Sequence, residues 1–390
     1  MCEQKTSVSS TETGEIMNDK SLECIRFYDI QVNKMVKGRG GIILFTDRGC
    51  RLFLECSRND GFYLRDEAVT NAVSEAGFNN VDSYVRNQDG ELFTVGDDGR
   101  KYVMKNWFGG RECDVKSVND VVGAVRTLAQ LHICLNVVSS AGVKYVQEGE
   151  NQNMMRRWEC MALAESEDYG QEAELKASES RTQNIYVQFD KGAGMRQNLD
   201  RHTKEIKKAA NYMRGKKKKN EFEQIALGAI DTFYKEADNA SELLKSEQFD
   251  ERFERMEQTR ELVHGSYNYN NVFLDTENGG SAVTNFEKCH NDGQVVDLYQ
   301  FLRKVMEKHD WDINVAYRIV DEYDKLKPLA DVDLDMLVAL LSFPEKFWKI
   351  INQYYNAGKA WVPAKNIDKL KVVISQNIQR RELIDKMCGL

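Results

Sequence analysis

The fold of this 390-residue chain is decided by the stretch His264-Gly265-Ser266-Tyr267-Asn268-Tyr269-Asn270-Asn271, which the apolar run Val272-Phe273-Leu274 follows at once. A second short element, Asn285-Phe286-Glu287, begins nineteen residues after Ser266. Between the two lie a pair of strand-like pieces around the turn signal Asn278-Gly279-Gly280. The two elements are therefore expected to lie close together at the open end of a short hairpin.

The spacing of these residues resembles that of a kinase catalytic loop, H-x-D-x-x-x-x-N, and of the metal-binding Asp that stands before an aromatic residue further along. In such loops the first Asp orients the attacking hydroxyl, and the Asn holds Mg²⁺. Here Ser266 occupies the place of the first Asp and Asn285 the place of the second. The pattern predicts a kinase-like fold whose chemistry is weakened or lost.

Phosphoryl transfer also needs a cation on the phosphates. Lys105, in the alternating run 101–107, is the candidate, and Glu112 in the following loop or helix is its candidate partner. The alternative is a surface lysine at a strand edge and a glutamate in the approach to a helix. No G-x-G-x-x-G loop precedes Lys105.

The candidate metal ligands are Asn271, Asn285 and Glu287, and Mg²⁺ prefers charged oxygen ligands over the neutral amide of an asparagine. His264 is the candidate brace of the loop through its backbone, with an ordinary core histidine as the alternative. Asp297 stands twelve residues after Asn285. It could pack under the loop, or simply place a charge at a helix N-terminus.

Composition is that of an ordinary globular protein, with 42% hydrophobic and 30% charged residues and a net charge of −8, which argues against general nucleic-acid binding. No apolar run suggests a membrane span, and residues 1–20 are expected to form a disordered tail without a secretory signal. The nine cysteines are scattered and form no C-x-x-C pair. They are expected to be idle thiols in a reducing cytoplasm, or else intermolecular cross-links.

The order of elements predicts an α+β, bilobed, protein-kinase-like fold with a small β-rich N-lobe and a large, mainly helical C-lobe. We assign 21–135 to the N-lobe, 136–186 to a connection that carries a mobile acidic insertion at 148–182, and 187–390 to the C-lobe. Hairpins and short strands are predicted at 41–56 and 80–107 and helices at 64–77 and from Ser117. Further helices are predicted through 200–260, 295–309, 313–326, 333–356 and 367–387.

Four consecutive lysines, Lys216-Lys217-Lys218-Lys219, interrupt the helical region 200–260. They could bind an anionic polymer, or form a solvated loop between two helices.

Several segments together resemble the CotS-type spore-coat proteins of the aminoglycoside/choline-kinase-like superfamily. The segments are Arg39-Gly40-Gly41, the run 105–114, Leu128–His132, Arg201-His202, 264–272, Thr284–Cys289, Asp297–Lys304 and Lys359–Pro363. The resemblance covers most of the chain from about residue 25 to 385. Its most specific stretch is 284–311. The resemblance implies synthesis in the cytoplasm of a spore-forming bacterium, deposition in the spore coat, and other coat proteins as partners. It also implies ATP and Mg²⁺ as the cofactors to test, and no others.

Two functions remain open at this point. The first is a non-catalytic scaffold, a pseudokinase, in coat assembly, because both acids are replaced. The second is an active ATP-dependent phosphotransferase that acts on a sugar, amino-sugar or coat-polymer hydroxyl, with Glu287 or another acid compensating.

Overall fold

The computed structural model describes residues 22–141, 143–147, 183–187, 194–277, 279–357 and 364–388. The predicted N-terminal tail, the acidic insertion 148–182 and the segment Lys359–Pro363 lie outside these residues. The chain divides into two compact units, one formed by residues up to Asn59 together with Ser83–Trp107, the other by Asp60–Asp82 and everything from Phe108 onward.

The first unit is an antiparallel sheet with strand order β1-β2-β3-β6-β4, and β5 also pairs with β6. Its strands are β1 (Val32–Gly38), β2 (Gly41–Thr46), β3 (Gly49–Glu55), β4 (Tyr84–Val85), β5 (Thr94–Val95) and β6 (Lys101–Asn106). Alternate residues of β2, Ile42 and Leu44, are buried, as expected of a strand with one face on a core. That core is completed by Phe53 and Tyr102, whose rings stack 5.3 Å apart.

The second unit is mainly helical, with short strands where the candidate loop lies. Its helices are α1 (Asp60–Glu75), α2 (Val118–Ala141), α3 (Met195–Gly215), α4 (Glu221–Leu244), α5 (Asp250–Thr259), α6 (Val295–Met306), α7 (Ile313–Asp324), α8 (Asp331–Ser342), α9 (Glu345–Ala357), α10 (Ala364–Ser375) and α11 (Asn377–Met387). Its strands are β7 (Arg111–Glu112), β8 (Val143–Gln147), β9 (Gln183–Val187), β10 (Leu262–Val263), β11 (Val272–Leu274), β12 (Ala282–Val283) and β13 (His290–Asn291).

Helix α2 is the central helix of this unit. Its segment Val118–Ser139 is long and apolar enough to cross a bilayer by length and composition, but 61% of the most apolar window is buried inside the structure. Val121, Val125 and Leu128, which lie on one face of the helix, are all fully buried. The segment therefore serves as the core of the unit. At its start the Asp120 amide donates to Ser117 Oγ at 3.3 Å, the contact expected of a capping serine.

Four features differ from the sequence prediction. Strand β1 was missed, because its side chains are mostly exposed and lack an alternating pattern. The helix predicted at 333–356 is two helices, α8 and α9, broken at Phe343-Pro344, because proline cannot continue a helix. The helix predicted at 367–387 is likewise divided into α10 and α11. Helices α1 and α2, assigned to the first lobe, belong to the second unit, whose core their apolar faces complete.

Seven cysteines fall in the described part of the chain, and all are free thiols. Burial raises the pKa of the Cys113 and Cys289 thiols to about 12, so both are protonated and unreactive at neutral pH. Cys388 is exposed.

Candidate active site

The loop His264–Asn271 lies in the second unit, between strands β10 and β11. Strand β10 pairs with β13, and β11 pairs with both β12 and β7, so the loop is held by pairing at each end. Gly265 has φ of 73°, and a Cβ there would lie 2.1 Å from the Lys288 carbonyl oxygen. Only glycine fits this position, since the backbone of the segment after Asn285 passes directly over it.

His264 is fully buried and braces the loop. Its Nδ1 accepts the Ser266 amide hydrogen at 3.2 Å, and its Nε2 donates to the Thr284 carbonyl at 3.0 Å. Burial lowers the pKa of His264, so the ring is neutral with its hydrogen on Nε2, which matches both contacts. The ring also packs against Phe286, 4.7 Å away between centroids. His264 therefore ties the loop directly to the second element.

Asp297, near the start of α6, is the anchor beneath the loop. Its carboxylate accepts the backbone hydrogens of His264 at 2.6 Å and of Gly265 at 3.0 Å. A third contact comes from His132 Nε2 at 3.3 Å, and Tyr323 lies 2.7 Å from the other nitrogen of that ring. Burial alone would raise the pKa of Asp297, but the hydrogen bond from His132 and the bonds from the loop outweigh it and hold the pKa below its ordinary value.

The state of His132 agrees with this assignment. The ring is fully buried, and burial lowers its pKa. A neutral ring with its hydrogen on Nε2 donates to Asp297 and accepts from the Tyr323 hydroxyl at Nδ1. The buried carboxylate is therefore ionised and accepts three hydrogen bonds, while both histidines beside it are uncharged.

Ser266 occupies the place where the loop of a kinase carries its acid. Its backbone is fixed, because its carbonyl oxygen accepts hydrogens from the side-chain amides of Asn268 at 2.7 Å and Asn271 at 2.9 Å. Its hydroxyl makes no hydrogen bond with the part of the chain that the structure describes. A serine hydroxyl is not among the groups that act as general bases near neutral pH.

The two asparagines in the metal positions bind each other. Asn271 Nδ2 donates to the Ser266 carbonyl, so the Oδ1 of Asn271 faces Asn285. Asn285 Nδ2 donates to that oxygen at 3.2 Å. Asn285 has a left-handed backbone, φ 74° and ψ 58°, a conformation that asparagine tolerates well. Its backbone nitrogen donates to Asp82 Oδ2 at 3.3 Å. We call Asn271 and Asn285 the amide pair.

The amide pair does not fit Mg²⁺. The metal favours charged oxygens, whereas both side chains here are neutral and the outward oxygen of Asn271 already accepts a hydrogen from Asn285. Among the described residues there is no group of three His, Cys, Asp or Glu side chains placed to hold a metal ion. Glu287, the third predicted ligand, lies exposed in a short 3₁₀ helix.

Lys105 and Glu112 lie in different units. Lys105 is in the first unit, in β6 between β3 and β4, so it is not at a sheet edge. It is only 4% exposed, and its ammonium lies 4.6 Å from the centre of the Tyr84 ring. Glu112 was predicted in a loop or helix and is instead exposed in β7 of the second unit, opposite Phe273. The chain turns into that strand at Gly110, where φ is 95°.

Residues from distant parts of the chain complete the site and were missed from the sequence. Asp82 lies beside Asn285, and His132 and Tyr323 support Asp297. Arg65 of α1 donates to the Cys289 carbonyl at 2.5 Å, just beyond the second element. His132 was among the segments that carried the family resemblance, but nothing local in the sequence indicated its contact.

The lysine run 216–219 is only partly a solvated loop. Lys216 Nζ binds the buried Glu223 carboxylate at 2.6 Å, and the same oxygen accepts the Tyr354 hydroxyl. The bond to Glu223 is the main cause that raises the pKa of Lys216. Lys219 binds the Lys216 carbonyl at 2.9 Å, where α3 ends. Lys217 and Lys218 are exposed, so the charge available to a partner is carried chiefly by these two.

Comparison with known proteins gives one family match, to the C-terminal half of the chain. Residues 200–387, which include the loop, the amide pair and α6, match the family model described as "Spore coat putative kinase YutH". This part of the chain is therefore similar to a family of spore-coat proteins with a kinase-like description. No curated protein sequence matches the chain.

Solved structures show the fold of the chain. It is similar to an aminoglycoside phosphotransferase from Alicyclobacillus acidocaldarius, at 14% identity, a TM-score of 0.73 and 97% coverage of each chain. It is also similar to a spectinomycin phosphotransferase in complex with ADP and spectinomycin, at 10% identity and a TM-score of 0.58, over 95% of this chain and 100% of the other. A microcompartment-associated aminopropanol kinase matches at 13% identity and a TM-score of 0.51, over 95% and 97%. The predicted α+β kinase-like fold is thereby confirmed, and the match over residues 200–387 agrees with the predicted resemblance to spore-coat proteins.

Proposed function

We propose that this spore-coat kinase-like protein is a non-catalytic scaffold in the assembly of the spore coat. Under this proposal it is made in the cytoplasm of a spore-forming bacterium and joins other coat proteins. The amide pair is the observation that carries the proposal, because position 285 holds a neutral side chain in the place of a charged metal ligand, and its Nδ2 donates to the oxygen that Asn271 would offer to a metal. The matched family supports the location.

The loss of the base supports the same conclusion. Removing a positioned general base typically costs about 10²- to 10⁴-fold in rate. At about 1.4 kcal/mol for each factor of ten, this corresponds to about 3 to 5.5 kcal/mol of barrier. Ser266 cannot act as a general base. The carboxylate of Asp297, beneath the loop, accepts hydrogen bonds from the backbone of the loop and from His132 instead.

The bracing of the loop, in contrast, is complete. His264, Gly265 and Asp297 hold the loop through three buried hydrogen bonds, although Ser266 and Asn285 stand in the places of the two acids that would use this order. Order without the acids is what a scaffold requires, since a coat protein needs a stable surface. The loop is accordingly expected to contribute to stability.

An active phosphotransferase is the second candidate, and Glu287 is the observation that favours it. Its carboxylate is exposed, two residues after Asn285, and forms no hydrogen bond or ion pair with the described residues. A hydroxyl of a sugar, an amino sugar or a coat polymer would be the acceptor. ATP and Mg²⁺ would then be the cofactors, with Lys105 on the phosphates.

Two measurements on the purified full-length protein separate the candidates. The first is the shift in melting temperature on adding ATP with and without Mg²⁺, and the second is ADP release in the presence of candidate acceptors. For a scaffold we expect no Mg²⁺-dependent shift and no ADP above the level without protein. Steady ADP release that Glu287→Gln abolishes would overturn the proposal. A Mg²⁺-dependent shift that Lys105→Ala abolishes, without ADP release, would show nucleotide binding without turnover.

A further inference from the structure

A cavity in the helical unit, away from the loop, contains a buried arginine with an unsatisfied edge. The cavity has an empty volume of about 350 Å³, including the space at its mouth. It lies among α4, α6, the α8–α9 turn, α10 and α11, and Trp311 and Phe343 form part of its apolar wall. Ligand pockets are commonly apolar with a few polar groups.

Two buried arginines line this cavity, and they differ in how fully they are bonded. Arg380 uses all three of its nitrogens, with the carbonyl oxygens of Leu341 and Ser342, the side-chain oxygen of Asn377 and the carboxylate of Glu236 as acceptors. It is therefore a structural arginine that joins α11 to α4 and to the end of α8.

Arg303 of α6 is only 4% exposed but is bonded through one nitrogen alone. Its Nη1 binds Glu307, one turn later in the same helix. Its Nε is buried without a hydrogen-bond partner, and its Nη2 makes no hydrogen bond with the described residues. Since buried polar groups in native proteins almost always find partners, a group from outside the described chain is expected on this edge.

The geometry of the free edge selects the ligand. Nε and Nη2 of a guanidinium point in parallel and match the two oxygens of a carboxylate in a bidentate pair. The carboxylates that line the cavity do not compete for this edge. Glu307 is bound by Arg303 Nη1 and by Lys346 at 3.2 Å, and Glu345 is bound by Lys349 at 2.9 Å.

We propose that this cavity binds a small organic carboxylate, with its carboxylate on the Nε–Nη2 edge of Arg303 and its apolar body against Trp311 and Phe343. The site is independent of the loop, and the proposal does not depend on whether the protein is a scaffold or an enzyme. An aromatic acid suits the aromatic wall better than acetate does.

The test uses benzoate as the probe and isothermal titration calorimetry on the full-length protein. We expect benzoate to bind, and benzyl alcohol, which has the same ring without the carboxylate, not to bind. Arg303→Lys should weaken benzoate binding at least tenfold, because lysine keeps the charge but loses the bidentate edge. Arg381→Lys is the matched control, since Arg381 is exposed and does not line the cavity, and it should bind as the wild type does.

A second variant keeps the proposal testable if Arg303→Lys does not fold. Val373→Phe leaves the guanidinium in place but fills the cavity from α10, and it should abolish benzoate binding. The proposal is overturned if the wild-type protein shows no binding at benzoate concentrations of tens of millimolar. In that case water alone occupies the Nε–Nη2 edge of Arg303. Equal affinity of the wild type, Arg303→Lys and Val373→Phe would overturn it as well.

Discussion

Replacing Asp297 by asparagine is the perturbation that bears most directly on the bracing of the loop. The wild-type carboxylate accepts three hydrogens, two of them at Oδ2 from His264 and His132 and one at Oδ1 from Gly265. The carboxamide keeps one acceptor. In its best orientation the oxygen replaces Oδ2, and the NH₂ group then faces the Gly265 amide.

The cost follows from these contacts. An orphaned buried amide costs about 1 to 3 kcal/mol, and each of the two remaining bonds loses about 1 kcal/mol when its acceptor is no longer charged. Asp297→Asn should therefore lower the free energy of unfolding by about 3 to 5 kcal/mol, in the range for breaking a buried charged interaction. That is a large part of the 5 to 15 kcal/mol typical of a folded domain.

Urea unfolding followed by circular dichroism measures this loss as a lower midpoint at an unchanged slope. Asp331→Asn is the matched control, because Asp331 is exposed in the first turn of α8 and its charge contributes only about 0.3 to 1 kcal/mol there. If Asp297→Asn costs no more than Asp331→Asn, the buried carboxylate does not hold the loop, and the reasoning fails.

Two further predictions concern stability. Burial lowers the pKa of His132 and His264, so the unfolded chain binds protons below about pH 6.5 that the folded protein excludes. The free energy of unfolding is therefore highest above pH 6.5 and falls as the pH drops toward the pKa values of the two rings in the folded protein, by up to about 1.4 kcal/mol per pH unit for each ring. His264→Gln should halve this slope. A free energy of unfolding that stays constant between pH 6.5 and 5 would contradict the prediction. Lys216→Ala should lower the free energy of unfolding in urea by about 1 to 2 kcal/mol, because the Lys216 ammonium pairs with a buried carboxylate. Lys217→Ala should change it by no more than about 0.5 kcal/mol. Equal effects of the two variants would show that the lysine run is only a solvated loop.

Much of the fold could be predicted because its signals are local. Apolar spacing and turn residues marked most strands and helices, and the hairpin of β11 and β12 placed Asn271 and Asn285 fourteen residues apart in sequence and in contact in space. Pro344 is a local signal for the break between α8 and α9. The break was not predicted because the apolar spacing typical of a helix continues across the proline. Strand β1 has exposed side chains and no such pattern.

The surroundings of the loop could not be predicted, because they are assembled by tertiary packing. Asp82 is 203 residues from Asn285, and His132 is 165 residues from Asp297. Neither has a neighbouring residue that indicates the contact. The replacement of both acids, by Ser266 and Asn285, could be recognised from the sequence. The hydrogen bond between Asn271 and Asn285 could be found only in the structure.

The central claim is that an otherwise ordered loop has lost its base at position 266 and its charged metal ligand at position 285. Isothermal titration of ATP into the wild type and into the double variant Ser266→Asp, Asn285→Asp, each with and without Mg²⁺, tests it most directly. We expect no Mg²⁺-dependent binding by the wild type and its appearance in the double variant, where a carboxylate replaces one member of the amide pair. Mg²⁺-dependent binding by the wild type as tight as by the double variant would contradict the claim.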